Sequence, residues 1–144
     1  MKNYFNAISL YRYYSKPSVK KIKVVRVFLE SLNYFLFNCT IPSTCTIGKG
    51  TFCSHRGMSV VIHNNAVIGS NCTIGTCVTV GGRGKGVEGA PTIGDNVYIA
   101  TGAKILGSVT IGDNAVIGAN SVVLKDVPSG MTAVGIPAKI MEVK

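Results

Sequence analysis

An aliphatic residue falls at every sixth position through the C-terminal half of this 144-residue chain: Ile93, Ile99, Ile105, Ile111, Ile117 and Val123. Glycine or alanine follows most of them, as in Ile93-Gly94, Ile99-Ala100, Ile111-Gly112 and Ile117-Gly118. The same beat runs earlier through Ile41, Ile47 and Cys53, then through Ile62, Ile68, Ile74 and Val80. A period of six suits neither an α-helix nor a simple alternating strand pair. It suits a coil with three flat faces, in which each hexad supplies one short strand and a corner. Position i points inward, and position i+4 (Cys45, Ala66, Cys72, Ala103, Ala115, Ser121) is small enough to pack beside it. Stacked turns then pair their backbones about 4.8 Å apart. The expected fold is mainly β: a left-handed parallel β-helix of four to five coils, a departure from the right-handed crossover rule. An N-terminal α-helical segment and a protruding glycine-rich loop complete it.

This length allows one domain, with a short segment ahead of the coil. Each turn of a solenoid touches only its neighbours, so a short one buries little core per residue and an oligomer is expected. Net charge is +9, and residues 1–38 hold seven Lys/Arg (Lys2, Arg12, Lys16, Lys20, Lys21, Lys23, Arg26) against Glu30. That asymmetry points to an anionic partner or surface near the N-terminus. The repeat region has no basic stripe interleaved with aromatics, so nucleic acid is not an expected partner. Among the five cysteines, Cys45 and Cys72 occupy the small i+4 slot and Cys53 the aliphatic slot, where cysteine behaves as a small hydrophobe. There is no CxxC, the count is odd and no signal peptide precedes them, which favours reduced thiols and a cytoplasmic setting.

Residues 1–38 form a basic, aromatic helical segment, and residues 39–144 the coil, with its loop at 81–92 and its tail at 129–144. Ile22, Val25, Phe28 (or Leu29), Leu32 and Phe35 (or Leu36) recur at three- and four-residue spacing within Val19–Phe37, the pattern of an amphipathic helix. Pro17-Ser18 is its start signal, and Cys39-Thr40 with Pro42 its end. With Tyr4, Phe5, Tyr11, Tyr13, Tyr14 and Tyr34 interspersed, this segment suits peripheral contact with an anionic membrane surface. Packing against the coil or a neighbouring subunit is the other use of such a helix. The apolar run Val24–Leu29 is too short to span a bilayer.

Two interruptions break the beat: nine residues replace six between Cys53 and Ile62, and GGRGKGVEGAPT intervenes between Val80 and Ile93. Repeat proteins carry function on such extrusions, because the stacked core survives them. His55 sits at the first. A neutral imidazole in reach of a hydroxyl is a general base at neutral pH, which suits acyl transfer. His63, in the i+1 slot of a regular hexad, is the alternative. No Asp or Glu lies between Glu30 and Glu88, so no local carboxylate can orient His55 as catalytic histidines commonly are. A backbone carbonyl, Ser54 or Glu88 would have to serve. In the second interruption, Gly82 and its neighbours let a ligand approach the backbone, and Arg83 and Lys85 favour phosphate. The spacing is not that of a nucleotide P-loop. A zinc site would need three histidines, and the chain has two; no metal is expected.

The His55 bulge, the GGRGK loop, the run GAKILGSVTIGDNAVIGANSVVLKDVP and the tail VGIPAKI together resemble one family. Residues 40–141 are similar to the hexapeptide-repeat acyltransferases, specifically the catalytic half of the serine acetyltransferase branch. The resemblance implies acetyl-CoA as cosubstrate, homotrimers or paired trimers, and CoA in a groove between neighbouring coils. It places the catalytic histidine at His55, Gly82 and the loop near the pantetheine arm, Thr101 and Ala119 along the groove, and Lys139 near the nucleotide end. Departures from the branch lie on the acceptor side. Ser54 stands where it has an aspartate before the histidine, Thr40 where it has an orienting aspartate, and Ala90 where a second histidine helps hold the serine carboxylate. The bulge after His55 is one residue longer, and the long N-terminal helical domain is replaced by the basic segment. These departures lead to the expectation of a different hydroxyl acceptor, a sugar or glycan of capsule, exopolysaccharide or O-antigen type. True serine acetylation is the alternative, and a non-catalytic scaffold coil an alternative of another class.

Overall fold

In the computed structural model, residues 5–84 and 88–141 are described. Lys85 lies outside them. Three helices precede the coil: α1 (Ala7–Tyr14), α2 (Pro17–Lys20) and α3 (Lys23–Phe37). The single helix expected over Val19–Phe37 is therefore two, parted at Lys21-Ile22. Ahead of them stands α1, a helix where the sequence shows only an aromatic stretch with no apolar periodicity assigned to it. Asn6 caps it, its side-chain oxygen accepting from the backbone N–H of Ile8 and Ser9 at 2.9 and 3.0 Å. Asn38 closes α3 in the left-handed region at φ 50°.

The coil then runs as a left-handed parallel β-helix of about four turns with three faces. Face I stacks β1 (Thr46–Ile47), β4 (Val67–Ile68), β7 (Thr92–Ile93) and β10 (Thr110–Ile111). Face II stacks β2 (Phe52–Cys53), β5 (Thr73–Ile74), β8 (Tyr98–Ile99), β11 (Val116–Ile117) and β13 (Thr132–Gly135), with β14 (Ala138–Met141) added antiparallel as the closing hairpin. Face III stacks β3 (Val61–Ile62), β6 (Thr79–Gly81), β9 (Lys104–Leu106) and β12 (Val122–Val123). The register aligns the hexad positions: Ile47 beside Ile68 beside Ile93 beside Ile111, and Ile62 beside Val80 beside Ile105 beside Val123. These columns and the i+4 residues between them form the buried core. Each fully buried isoleucine contributes about 1.5–3 kcal/mol by leaving water. Corner residues Asn71, Asn96, Asn114 and Asn120 adopt φ of 55–58°, which asparagine tolerates better than most residues.

The open first turn is covered by α1. Tyr11 donates its hydroxyl to Cys45 O at 2.7 Å and Tyr14 to Ile41 O at 2.5 Å. Asn33 of α3 donates to Tyr14 Oη at 2.9 Å and Ala7 O at 3.2 Å, tying both helices to that end. The opposite side of α3 is left bare: Val24, Phe28 and Phe35 are 80%, 65% and 85% exposed. No described helix is long and apolar enough to cross a membrane.

Candidate active site

Each turn passes from face II to face III through one corner and from III back to I through the next, and the candidate residues divide between these two corners. At the II–III corner, the slot two after each inward aliphatic residue of face II holds, turn by turn, His55, Thr76, Thr101 and Ala119. They make one column on the edge of the coil. Thr76 and Thr101 meet through their hydroxyls at 3.4 Å. Thr76 escaped the sequence reading, although it occupies the same hexad slot as Thr101.

His55 lies on a short 3-10 turn, Ser54–Gly57, and is exposed. Its backbone is left-handed (φ 47°, ψ 42°), as is that of Arg56 (φ 66°, ψ 3°). Two successive non-glycine residues in this region carry a strain of order 1–3 kcal/mol each, a cost found most often at functional sites. The turn is backed by α1. Gly57 has φ +89°, and a Cβ there would stand 2.9 Å from Ala7 Cβ and 3.2 Å from Cys53 Cβ, so only glycine lets the helix seat behind the histidine. Among the described residues no side chain hydrogen-bonds the His55 imidazole, and Glu30 is occupied in accepting from Ser43 N at 2.9 Å.

At the III–I corner, three successive turns bring together His63, the start of the glycine loop and Gly107. His63 N donates to Val80 O at 2.7 Å, and Gly107 N to Gly81 O at 2.9 Å. Gly82 borders the His63 ring, and the stem of Arg83 lies along Gly107. Five residues separate Thr76 from Gly82 across face III, Cys77 in a left-handed corner and Thr79–Gly81 in strand, a path of at most about 20 Å at the usual rise per residue. Among the described residues, His55 and the start of the loop therefore leave the coil at different corners of one chain. Lys139 sits apart, on β14, where it lines a groove of about 290 Å³ with Lys125, Val123 and Ala133. Among the described residues no three His, Cys, Asp or Glu side chains cluster as metal ligands.

A triangular left-handed coil, carrying a histidine on one corner and an extruded glycine loop on the next, defines a class of transferases built from hexapeptide repeats. Residues 90–125 match the model of the bacterial transferase hexapeptide (six repeats). A serine acetyltransferase of Staphylococcus epidermidis is 49% identical over 115 residues, 79% of this chain and 54% of that protein. The crystal structure of Neisseria gonorrhoeae serine acetyltransferase superposes with a TM-score of 0.86 at 39% identity, covering 94% of this chain and 54% of the other. A serine acetyltransferase in complex with CoA superposes with a TM-score of 0.85 at 35% identity, over 94% of this chain and 55% of the other. This chain belongs to the hexapeptide-repeat transferase family, in its serine acetyltransferase-like branch. It spans about half the length of the curated relatives it matches.

These relatives overturn the expectation of a sugar or glycan acceptor, and with it the link to capsule, exopolysaccharide or O-antigen synthesis. That expectation rests on individual acceptor-side groups that differ at positions 40, 54 and 90. Replacing single groups does not dictate a new acceptor when the coil, the histidine turn and the glycine loop are all retained.

Proposed function

We propose that this chain catalyses transfer of acetyl from acetyl-CoA to the hydroxyl of serine, with His55 as general base. The observation that carries the reading is the column His55, Thr76, Thr101, Ala119: an exposed histidine on a left-handed backbone heads an edge lined with small side chains along which a slender thioester arm can lie. His55 takes the hydroxyl proton as the serine oxygen attacks the thioester carbonyl. The C–S bond then breaks and the proton passes from the imidazolium to the leaving thiolate, which departs as CoA-SH. A backbone N–H of the loop near Gly82 holds the oxyanion in this reading, a contribution of about 3 kcal/mol where such donors have been removed. Thr101 and Ala119 line the arm, and Lys139 meets the nucleotide end. With His55 and the loop at different corners of one chain, the loop of a neighbouring copy completes the site in this reading, and the working unit is a homotrimer with its sites between subunits.

His55→Ala is expected to lower kcat by about 10²–10⁴-fold, the usual span of general-base catalysis. A thiol-release assay with acetyl-CoA and L-serine measures it, with CoA-induced thermal stabilisation as the control for binding. Turnover of the variant at the wild-type rate would remove His55 from the mechanism, and no serine-dependent release by the wild type would remove the activity.

The buried, unpaired thiols Cys39, Cys45, Cys53 and Cys72 suit a reducing, cytoplasmic setting. There the bare apolar stripe of α3, with Lys20, Lys21 and Lys23 at its start, fits the surface of an anionic membrane. A second copy would instead bring like charges together.

A further inference from the structure

We propose that His63 is not an alternative base but a hydrogen-bond donor which, with Arg83, holds the carboxylate of the amino-acid acceptor. This rests on the reading of serine as acceptor. The backbone N–H of Asn65 donates to His63 Nδ1 at 3.2 Å. A ring nitrogen that accepts a hydrogen bond has its lone pair engaged, so the neutral imidazole carries its proton on Nε2. Nε2 is turned to the loop: a Cβ on Gly82 would stand 3.8 Å from both Nε2 and Cδ2. At the mouth of the loop His63 thus offers an N–H, and the task of removing a proton falls to His55.

Arg83 supplies charge at the same place. A Cβ on Gly107 would lie 3.3 Å from Arg83 Cβ and 3.4 Å from its Cδ, so the side chain is laid along the next turn by a residue that has no side chain of its own. Its guanidinium makes no hydrogen bond or ion pair among the described residues. The pantetheine arm expected beside Gly82 is uncharged, and the phosphates of CoA belong at the far end of the groove. The anion that two donors can meet at this corner is therefore the one an amino acid brings. A planar guanidinium and an imidazole N–H both match carboxylate oxygens. His63 reaches the loop mouth from β3, and so supplies a donor that Ala90, on the far limb of the same loop, cannot.

Two measurements test this. Imidazole ¹⁵N shifts of the unliganded protein above the histidine titration range report which nitrogen of His63 carries the proton, independently of any activity. The proton is expected on Nε2, and finding it on Nδ1 would overturn the assignment. The second compares kcat/KM for L-serine with that for L-serinamide, which keeps the hydroxyl and amine but has no carboxylate. His63→Ala and Arg83→Ala should each lower the serine-to-serinamide ratio about tenfold or more. His63→Gln, whose amide N–H reaches the position of Nε2, should recover most of it. A ratio within twofold of wild type in both alanine variants, whatever the absolute rates, sinks the carboxylate role while leaving serine acetylation standing. No turnover of serine by the wild type ends both.

Discussion

Burial rather than disulfide bonding sets the chemistry of most cysteines in this chain. Burial pushes the Cys39 thiol up to about 12 and Cys45 to about 11 from an ordinary 9, and raises Cys53 and Cys72 as well. Tyr11 is pushed up to about 12 from 10, and Tyr14 is raised too, again chiefly by burial. Each of these groups is neutral when protonated, and each holds its proton more tightly folded than unfolded. Above about pH 9 the unfolded chain binds fewer protons than the native one, so stability falls as pH rises. Thermal melts should show a plateau below pH 9 and a steady loss between pH 9 and 12. A melting temperature level to pH 11 would contradict these shifts. At neutral pH a maleimide should label Cys77, the exposed thiol at a corner, and spare the other four. The buried role of Cys45, Cys53 and Cys72 was legible from their hexad slots. The exposure of Cys77 follows from its left-handed corner backbone (φ 57°).

Among the elements, the short strands need little explanation beyond the beat of six, whereas the helices were legible only in part. Apolar spacing marks α3, yet its buried side is set by Asn33 and Phe37, and the strongest apolar residues, Val24, Phe28 and Phe35, face outward. Periodicity locates a helix without saying which side finds a partner. For α1 the aromatic residues hid a cap whose tyrosine hydroxyls reach backbone carbonyls some thirty residues away, at Ile41 and Cys45. The outward stripe of α3 gives an element-scale prediction. The protein should co-sediment with vesicles containing phosphatidylglycerol and not with phosphatidylcholine alone. Phe28→Ser with Phe35→Ser should cut that binding at least tenfold while the melting temperature holds. Equal binding by the double variant would free α3 from this role.

At the scale of the molecule, His55 and the start of the glycine loop leave the coil at different corners, and the proposed function joins them across neighbouring copies. His55→Ala and Gly82→Trp chains, co-expressed with different tags and purified through both, should regain activity that neither has alone. In a closed three-fold ring of mixed chains one site in three, or about a third, joins an intact histidine to an intact loop. Mixed oligomers no more active than their parents would place the whole site within one chain.

The period of six by itself determined the three-faced coil, its inward columns, its small i+4 slots and the two places where the chain leaves it. It could do so because each turn of a solenoid answers only to its nearest neighbours, making local repetition nearly the whole of the fold. The branch of the family was equally legible, since the loop, the AKILG segment and the tail are contiguous motifs. Tertiary structure decided what no contiguous stretch encodes. It stacked Thr76 between His55 and Thr101, seated α1 behind Gly57, and turned Nε2 of His63 toward Gly82 by giving Nδ1 to Asn65. Each of these depends on the directions in which side chains leave separate turns or elements, and direction is fixed only when those pieces pack.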